Sequence, residues 1–600
     1  MNQLFLPVST REMKTMGWEQ PDFILVTADA YVDHPSFGAA IIGRWLQHHG
    51  FRVALLPQPG WKDTRDFTRL GKPRLGFLVS GGNMDSMVAH YTAAKKPRSE
   101  DAYSPGGQRG FRPDRPTLVY TNRLREAFGD IPIIIGGLEA SLRRFAHYDY
   151  WENKVRHSVL ADSQADLLAY GMGERAILAI AQALAAGTPI GAVTGVPGTC
   201  YWAKEPPEDC LVLPGFGEVS QNKQAYCKAF LTQQNEQDTV RGKRLAQEHP
   251  RGFLVQNPPA APLTRQELDK LYSLPFARAW HPAYDQAGGI PALEEVRFSI
   301  TATRGCFGGC AFCSLAFHQG RTVQSRSTKS ILEEAAALTL LPGFKGYIHD
   351  IGGPTANFRE PACAKQAKEG TCAHRQCLFP KPCPQLRVTH KEFLDTLRKA
   401  RALPGVKKVF VRSGIRFDYL MLDEDPALLR EFCAHHISGQ LKVAPEHRSP
   451  ETLRLMEKPA PEVYDGFCRR FAETNRTLGK EQYMVPYFIS SHPGCTLSDA
   501  VRLAEYLRDI GHHPEQVQDF YPTPGTLATT MYYTGLNPRT LKPVFVPRSL
   551  QDKAMQRALL QYRDPKNHSR VRQALAACGR EDLIGHGKRC LVPPPRGRKG

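Results

Sequence analysis

Three closely spaced cysteines, Cys306, Cys310 and Cys313, are the part of the sequence best suited to chemistry. They directly follow a predicted strand over 296–301. Thiolates with three and then two residues between them can hold three irons of a cubane iron–sulfur cluster, and the neighbouring glycines let the loop fold tightly. The fourth iron would keep an open coordination position, as the metal of a catalytic zinc site does. An open position can chelate the amino and carboxylate groups of a methionine moiety and place its sulfonium beside an electron donor.

Two ordinary explanations fit this motif poorly, since structural zinc usually takes four ligands in paired C-x2-C spacing and ferredoxin loops run C-x2-C-x2-C-x3-C. With the aromatic Phe312 just before the third cysteine, the motif resembles the signature of the radical S-adenosylmethionine (SAM) superfamily. The resemblance implies a [4Fe-4S] cluster on the three cysteines and SAM as a second cofactor, with Phe312 among the cofactor-binding residues. It also implies that SAM is cleaved to a 5′-deoxyadenosyl radical, which abstracts hydrogen from a substrate.

The same resemblance implies further SAM contacts at the ends of later predicted strands. Gly352 and Gly353 occupy the place of the superfamily's Gly-Gly-Glu element, whose backbone binds the methionine amino group. The third residue of that element departs from the superfamily's pattern, because Pro354 replaces the acidic residue. Ser413 and Glu446 close the third and fourth strands, where ribose and methionine contacts are often found. The residues that act on the substrate stay unknown.

A second cysteine set, Cys363, Cys372, Cys377 and Cys383, lies in a predicted loop over 354–388. Connections in compact units usually run about 2–6 residues, so a loop of this length needs a reason to be ordered. Four thiolates around one metal would supply it. The set is therefore a possible second metal site, either an auxiliary iron–sulfur cluster or a zinc, with unligated thiols as the third alternative.

Residues 1–199 alternate short apolar runs with helical spacing, which predicts an open parallel α/β sheet with ligand sites beyond the carboxyl ends of its strands. The glycine-rich stretches 136–137 and 171–174 are similar to loops of cobalamin-binding domains. Those domains often carry D-x-H-x-x-G, which Asp33, His34 and Gly38 only approximate because His directly follows Asp. A histidine ligand to cobalt is not expected, and cobalamin without such a ligand stays open as a weaker alternative.

The remaining chain divides into three parts. Residues 200–292 lose the strand–helix rhythm and are interpreted as a connecting segment. Residues 293–540 contain six strand–helix units, which predicts a partial TIM-type (β/α)6 barrel carrying the Cys-rich insertion, with its site where strands end and βα loops begin. Residues 541–600 predict a basic, mainly helical C-terminal extension whose end, 593–600, has a disordered composition.

Composition and charge limit the classes of protein to be considered. The 600 residues are 42% hydrophobic and 23% charged, with a net charge of +19, which excludes a mostly disordered chain. No apolar run is long enough to span a membrane, and the N-terminus lacks the order of a secretory signal, so we expect a cytoplasmic protein with no membrane partner. Residues 541–600 hold 14 Lys and Arg against 4 Asp and Glu, so this tail is a candidate for nucleic-acid contact, with a solvated tail as the alternative.

Over nearly its whole length the chain resembles the YgiQ-type radical SAM proteins, through the motifs at 306–310, 317–321, 324–326 and 579–585. The resemblance implies an enzyme of unknown substrate that receives electrons from an external donor such as flavodoxin or ferredoxin. Three alternatives remain: a methylthiotransferase, a cobalamin-dependent radical methyltransferase, and a nonenzymatic iron–sulfur protein of electron transfer or nucleic-acid binding. The first is weakened because residues 1–199 contain no cysteine for a second cluster.

Overall fold

A computed structural model describes residues 5–515 and 517–595. The chain forms two compact units. The first contains Met1–Phe307, Ser314–His374 and Thr389–Ser413, and the second contains Gly308–Cys313, Arg375–Val388 and Gly414–Gly600. The chain therefore passes from one unit to the other inside the Cys306–Cys313 loop and again inside the Cys-rich insertion.

The first unit is built on a nine-stranded sheet. Across the sheet the strands lie in the order Cys210–Leu213, Arg244–His249, Gly252–Gln256, Thr199–Ala203, Leu167–Ala169, Ile133–Gly136, Gly76–Ser80, Phe23–Thr27 and Val53–Pro57. The last five of these are parallel. Their aliphatic, β-branched sequences are buried almost throughout, as expected for parallel strands covered on both faces. The predicted parallel α/β fold is confirmed.

The other edge of this sheet differs from the sequence interpretation. Four strands within 199–256, three of whose pairings are antiparallel, extend the sheet through the stretch interpreted as a connecting segment. Their apolar pattern is weak because Arg244–His249 carries buried polar residues, and the fold satisfies one of them, Gln247, with distant partners. Gln247 accepts a hydrogen bond from the Ala146 amide at 2.9 Å and donates one to the Pro214 carbonyl at 3.0 Å.

Beyond the sheet, the first unit contains the first three predicted barrel strands as short parallel pairs. Ser299–Thr301 pairs with Asp350–Gly352, and Tyr347–Ile348 pairs with Lys408–Val409. Along the chain, the helix Lys391–Arg401 lies between the strands Asp350–Gly352 and Lys408–Val409. It buries its apolar face, and its buried residues are Phe393, Leu394, Thr396, Leu397 and Ala400.

The second unit holds the last three predicted strands as a parallel sheet in chain order, Gln440–Glu446, Tyr483–Ser490 and Gln518–Asp519. Helices Leu550–Leu560 and His568–Ala577 of the basic extension pack with Leu497–Asp509 around one buried apolar core. The predicted helical C-terminal region is thus confirmed. Most of the predicted disordered end, 596–600, lies outside the described residues, and nucleic-acid contact through the extension stays a prediction.

Helices cover both units, and none in the described part of the chain is at once long and apolar enough to cross a bilayer. The α-helices of the first unit are Thr10–Thr15, Gly38–His48, Arg65–Thr68, Ser86–His90, Pro116–Phe128, Gly137–Leu142, Val159–Asp162, Glu174–Ala185, Phe216–Gln221, Lys223–Asn235, Arg265–Tyr272, Pro291–Val296, Leu315–Gln319, Thr328–Thr339, Ala364–Glu369 and Lys391–Arg401. Those of the second are Phe417–Leu420, Ala427–Glu431, Pro450–Leu455, Pro461–Leu478, Leu497–Asp509, Leu527–Thr534, Leu550–Leu560 and His568–Ala577.

Candidate functional site

Cys306 lies in the first unit, just after a two-residue strand, Thr303–Arg304. Its amide donates a hydrogen bond to the Gly320 carbonyl at 3.2 Å, and its Sγ lies 3.5 Å from the Thr355 hydroxyl. Gly305 has a φ of 78°, and a Cβ there would overlap the Thr322 carbonyl. Only glycine fits this turn without strain, which explains the residue that precedes the first cysteine.

The next residue, Phe307, anchors the loop in the first unit. Its ring stacks on that of Phe358 with centroids 3.7 Å apart, and both side chains are fully buried. The stacked pair fixes the backbone immediately after Cys306, because burial of two aromatic rings resists displacement of either one.

Cys310 and Cys313 lie in the second unit, where a turn joins the Cys313 amide to the Cys310 carbonyl at 3.1 Å. Between them, the Ala311 amide donates to the Met456 carbonyl at 2.9 Å. Arg416 donates from Nη1 to Cys310 Sγ at 3.3 Å. This contact places a cation against one of the three predicted iron ligands.

The chemistry of these donors fits an iron–sulfur cluster. All three cysteines are thiols outside any disulfide and are partly exposed, and thiolates are the usual ligands of such clusters. Within 5–515 and 517–595 no group of three or more His, Cys, Asp or Glu side chains is already arranged around a metal position. The assignment of the three cysteines to one cluster therefore rests on their spacing in the sequence.

The structure brings together two of the predicted SAM-binding elements in the first unit. Ser413 donates from its amide and its hydroxyl to Asp350 Oδ1, at 3.2 and 3.1 Å, and burial raises the pKa of that carboxyl. A Cβ at Gly352 would overlap the Ser413 hydroxyl, and one at Gly353 would overlap Thr303. Both glycines are thus needed for close packing, and the Gly352 carbonyl accepts a hydrogen bond from the Ala302 amide at 2.7 Å.

Glu446 and Phe312 lie in the second unit. Glu446 ends its strand in the left-handed region, with a φ of 70°, and faces Lys458 at 3.4 Å in a buried pair. Burial raises the pKa of Glu446, and the charge of Lys458 opposes that rise. Phe312 meets the ring of His492 edge-on at 6.0 Å.

The second cysteine set is divided between the units. Cys363 and Cys372 lie in the first unit, and Cys377 and Cys383 lie in the second, where the Cys383 amide donates to the Cys377 carbonyl at 2.8 Å. In the first unit, the Cys372 carbonyl accepts a hydrogen bond from Arg321 at 2.8 Å. A shared metal at this set stays a prediction.

A cleft of about 890 Å³, counting the part open to solvent, lies at the carboxyl ends of the parallel strands of the first unit. Its floor is aliphatic and its rim is made of glycine-rich loops, including both stretches noted in the sequence. The rim residues are Gly38, Gly82, Asn83, Gly136, Gly137, Gly171, Met172, Gly173, Glu174 and His318. This is the position expected for a ligand of an open parallel sheet.

His34 does not face this cleft as a metal ligand. It is fully buried, its Nδ1 accepts from the Ser36 amide at 3.1 Å, and its Nε2 lies 3.0 Å from Arg278 Nη1. Because both ring nitrogens are engaged, the structure agrees with the expectation that the approximate D-x-H-x-x-G stretch supplies no cobalt ligand.

His318 is a site residue that the sequence reasoning missed. It belongs to Leu315–Gln319, a short helix that begins two residues after Cys313, and it lines the cleft. Its Nδ1 is buried without a hydrogen-bond partner among the described residues, and burial, together with the Arg144 charge, lowers the pKa of His318 to about 4. The sequence motif at 317–321 was the signal that could have pointed to His318. Its position beside the sheet is visible only in the folded chain.

Comparison with known proteins gives two family models, Radical SAM N-terminal over residues 5–299 and a domain of unknown function, DUF3362, over residues 515–600. A UPF0313 protein of Clostridium perfringens strain 13 is 57% identical over 591 residues, covering 98% of this chain and 89% of the relative. A UPF0313 protein of Clostridium botulinum strain 657 is 56% identical over 594 residues, covering 99% and 93%.

Two kinds of solved structure are similar in outline. The radical SAM methyltransferase TsrM from Kitasatospora setae, with cobalamin and a [4Fe-4S] cluster bound, has a TM-score of 0.48 at 13% identity, covering 85% of this chain and 77% of that one. The cobalamin-dependent radical SAM enzyme OxsB has a TM-score of 0.45 at 12% identity, covering 82% and 52%. These likenesses are too weak to transfer a ligand or an activity. The identity to the clostridial proteins is decisive, and the chain belongs to the UPF0313 protein family of the radical SAM superfamily.

Proposed function

We propose that this protein is a radical SAM enzyme that holds a [4Fe-4S] cluster through Cys306, Cys310 and Cys313 and reductively cleaves SAM to a 5′-deoxyadenosyl radical. The substrate of the radical is not identified. The observation that carries the proposal is the C-x3-C-x2-C loop itself, placed directly after a strand in a member of this superfamily. Three thiolates leave one iron of a cubane without a protein ligand, which is where SAM would bind.

When bound, the cluster would supply the electron that breaks a carbon–sulfur bond of SAM. The residues of this chain hold the loop and the ligand. Phe307 and Phe358 fix the backbone after Cys306, and the packing of Gly352 against Ser413 presents a strand end whose backbone can bind the methionine amino group. In the second unit, the buried Glu446 and Lys458 offer one charge of each sign to the amino acid end of SAM.

We further propose that the electron comes from an external one-electron donor such as flavodoxin or ferredoxin. The partly exposed Cys310 and Cys313 leave the loop open to a partner. The net charge of +19 favours association with an acidic one, because complementary charge speeds encounter.

The deciding experiment is anaerobic reconstitution with iron and sulfide, followed by dithionite and SAM. We expect formation of 5′-deoxyadenosine, and a change in the EPR signal of the reduced cluster when SAM binds. A reconstituted protein that leaves SAM intact and gives no SAM-dependent EPR change would contradict the proposal and favour a nonenzymatic carrier.

A second candidate function, radical methylation with cobalamin, is favoured by one observation, the glycine-rimmed cleft at the carboxyl ends of the parallel strands. Its aliphatic floor and glycine rim suit a broad, mostly apolar ligand, since ligand pockets are largely apolar with few polar groups. Because His34 is engaged elsewhere, the corrin would bind without that imidazole.

Titration with aquacobalamin, followed by its visible spectrum, tests this candidate. Ala39→Trp would fill the cleft and should abolish binding, because Ala39 lines it. His48→Trp, at an exposed position of the same helix, is the matched control and should bind normally. Equal binding by both variants, or no binding by the unaltered protein, would exclude cobalamin from this cleft.

A further inference from the structure

Cys310 has a buried cation against its sulfur. Arg416 donates from Nη1 to Cys310 Sγ at 3.3 Å, and Arg416 is only 8% exposed. The contact lies within the second unit. Because water screens it little, a charge-assisted hydrogen bond of this kind acts more strongly than one at the surface.

Asp418 holds this guanidinium in place. Arg416 Nε donates to Asp418 Oδ1 at 2.8 Å, and Nη2 donates to Oδ2 at 2.6 Å, so the side chains form a two-point fork. Asp418 is 6% exposed. Burial raises the pKa of Asp418, but the charge and hydrogen bonds of Arg416 outweigh this and leave it below its usual value. The two bonds to Asp418 fix the plane of the guanidinium, and in this orientation Nη1 donates to Cys310 Sγ.

Cys306 has a different neighbour. Its Sγ lies 3.5 Å from the neutral Thr355 hydroxyl, within the first unit. Of these two contacts, the one from Arg416 to Cys310 is the stronger, since a hydrogen bond from a cation is roughly twice as strong as one from a neutral group.

We propose that Arg416 is a positioning residue that raises the reduction potential of the cluster through its hydrogen bond to Cys310. The proposal rests on the proposed function, because it requires the cluster at these cysteines. The property concerned is uptake of one electron from the external donor, which is oxidised as the cluster is reduced. Added negative charge spreads onto the cysteine sulfurs, and a donor N–H stabilises that charged state, so the reduced form gains more than the oxidised form.

The test compares Arg416→Gln with Arg448→Gln. Arg448 is a matched control because it is also an arginine of the second unit held by a two-point fork, to Asp465 at 2.8 and 2.8 Å. The reconstituted proteins are titrated with dithionite at controlled potential and followed by EPR, without SAM. We expect Arg416→Gln to shift the midpoint potential to a more negative value, and Arg448→Gln to leave it unchanged. A midpoint in Arg416→Gln equal to that of the unaltered protein overturns the inference.

Arg416→Lys keeps the charge but not the fork, so its midpoint should fall between those of the unaltered protein and Arg416→Gln. If Arg416→Gln assembles no cluster, Arg416→Lys decides, and an unshifted midpoint at normal iron content overturns the inference. Failure of the proposed function looks different, because the unaltered protein would then hold no reducible cluster. Circular dichroism of each variant separates loss of fold from loss of cluster.

Discussion

Arg304 and Glu174 form a buried ion pair, with Nη1 and Oε1 2.6 Å apart and side chains only 3% and 2% exposed. Arg304 lies two residues before Cys306, and Glu174 begins the helix Glu174–Ala185 at the rim of the cleft. The pair therefore ties the start of the cysteine loop to the carboxyl edge of the parallel sheet, within one unit. A displacement of the sheet edge would therefore move the backbone next to Cys306.

Glu174→Gln is expected to lower the free energy of unfolding by about 3–5 kcal/mol, because removing one partner of a buried pair leaves the other charge uncompensated. Urea unfolding followed by circular dichroism measures this. Glu267→Gln is the matched control. Its carboxylate pairs with Arg175 at the surface, with side chains 38% and 36% exposed, and its loss should cost less than about 1 kcal/mol. Equal costs for the two variants would show that burial of the Arg304 pair has no energetic effect.

The sequence predicted the parts of the fold in which local pattern and tertiary structure agree. The parallel strands and the helix Lys391–Arg401 follow from apolar periodicity, because one face or both faces are buried. The strand Arg244–His249 did not, because its buried Gln247 side chain is satisfied by partners about 30 and 100 residues away, at Pro214 and Ala146.

The candidate site divides in the same way. The spacing of the cysteines is a local property and can be recognised in the sequence alone. Arg416 lies 106 residues from Cys310, and Glu174 lies 130 residues from Arg304. No periodicity or motif links residues so far apart, so the groups that polarise and anchor the loop could only be found in the folded chain.

Cys310→Ala is expected to abolish 5′-deoxyadenosine formation and to lower the bound iron, while leaving the circular dichroism spectrum nearly unchanged. The fold should persist because Cys310 is partly exposed, and the loss of a partner for Arg416 costs only about 1–3 kcal/mol. Cys578→Ala, which alters a partly exposed cysteine outside both cysteine sets, is the control and should keep normal turnover. Retained turnover in Cys310→Ala would contradict the assigned iron ligation.

Gly353→Ala is expected to destabilise the first unit by about 1–3 kcal/mol, because the added Cβ would overlap both the hydroxyl and the carbonyl of Thr303. Thermal unfolding gives the cost. Gly191→Ala is the matched control, since a Cβ there meets nothing within 4 Å and the residue's φ lies outside the left-handed region. Equal melting temperatures for Gly353→Ala and Gly191→Ala would contradict this expectation. They would show that the backbone at Gly353 can accommodate a Cβ beside Thr303.

His447 is expected to make the protein sensitive to acid. Its Nδ1 accepts from the Ser449 amide at 3.0 Å, its Nε2 lies 3.3 Å from Cys495 Sγ, and burial lowers the pKa of the imidazole to about 4. In the unfolded chain a histidine titrates near pH 6.5, so between pH 6.5 and about 4 the unfolded state binds the additional proton. The stability contributed by the neutral ring is therefore full above pH 6.5 and is lost as the pH falls, by up to about 1.4 kcal/mol per pH unit.

His447→Gln removes the titrating imidazole. Between pH 6.5 and about 4, the slope of the unfolding free energy against pH should then be shallower by up to about 1.4 kcal/mol per pH unit, even if the variant is less stable at pH 7. Urea unfolding at half-unit steps from pH 4.5 to pH 7 measures the slope. His48→Gln, at an exposed position, serves as the control for loss of an imidazole as such. An unchanged slope in His447→Gln would mean that the ring takes up its proton without unfolding, which requires a path for water to a residue that is only 3% exposed.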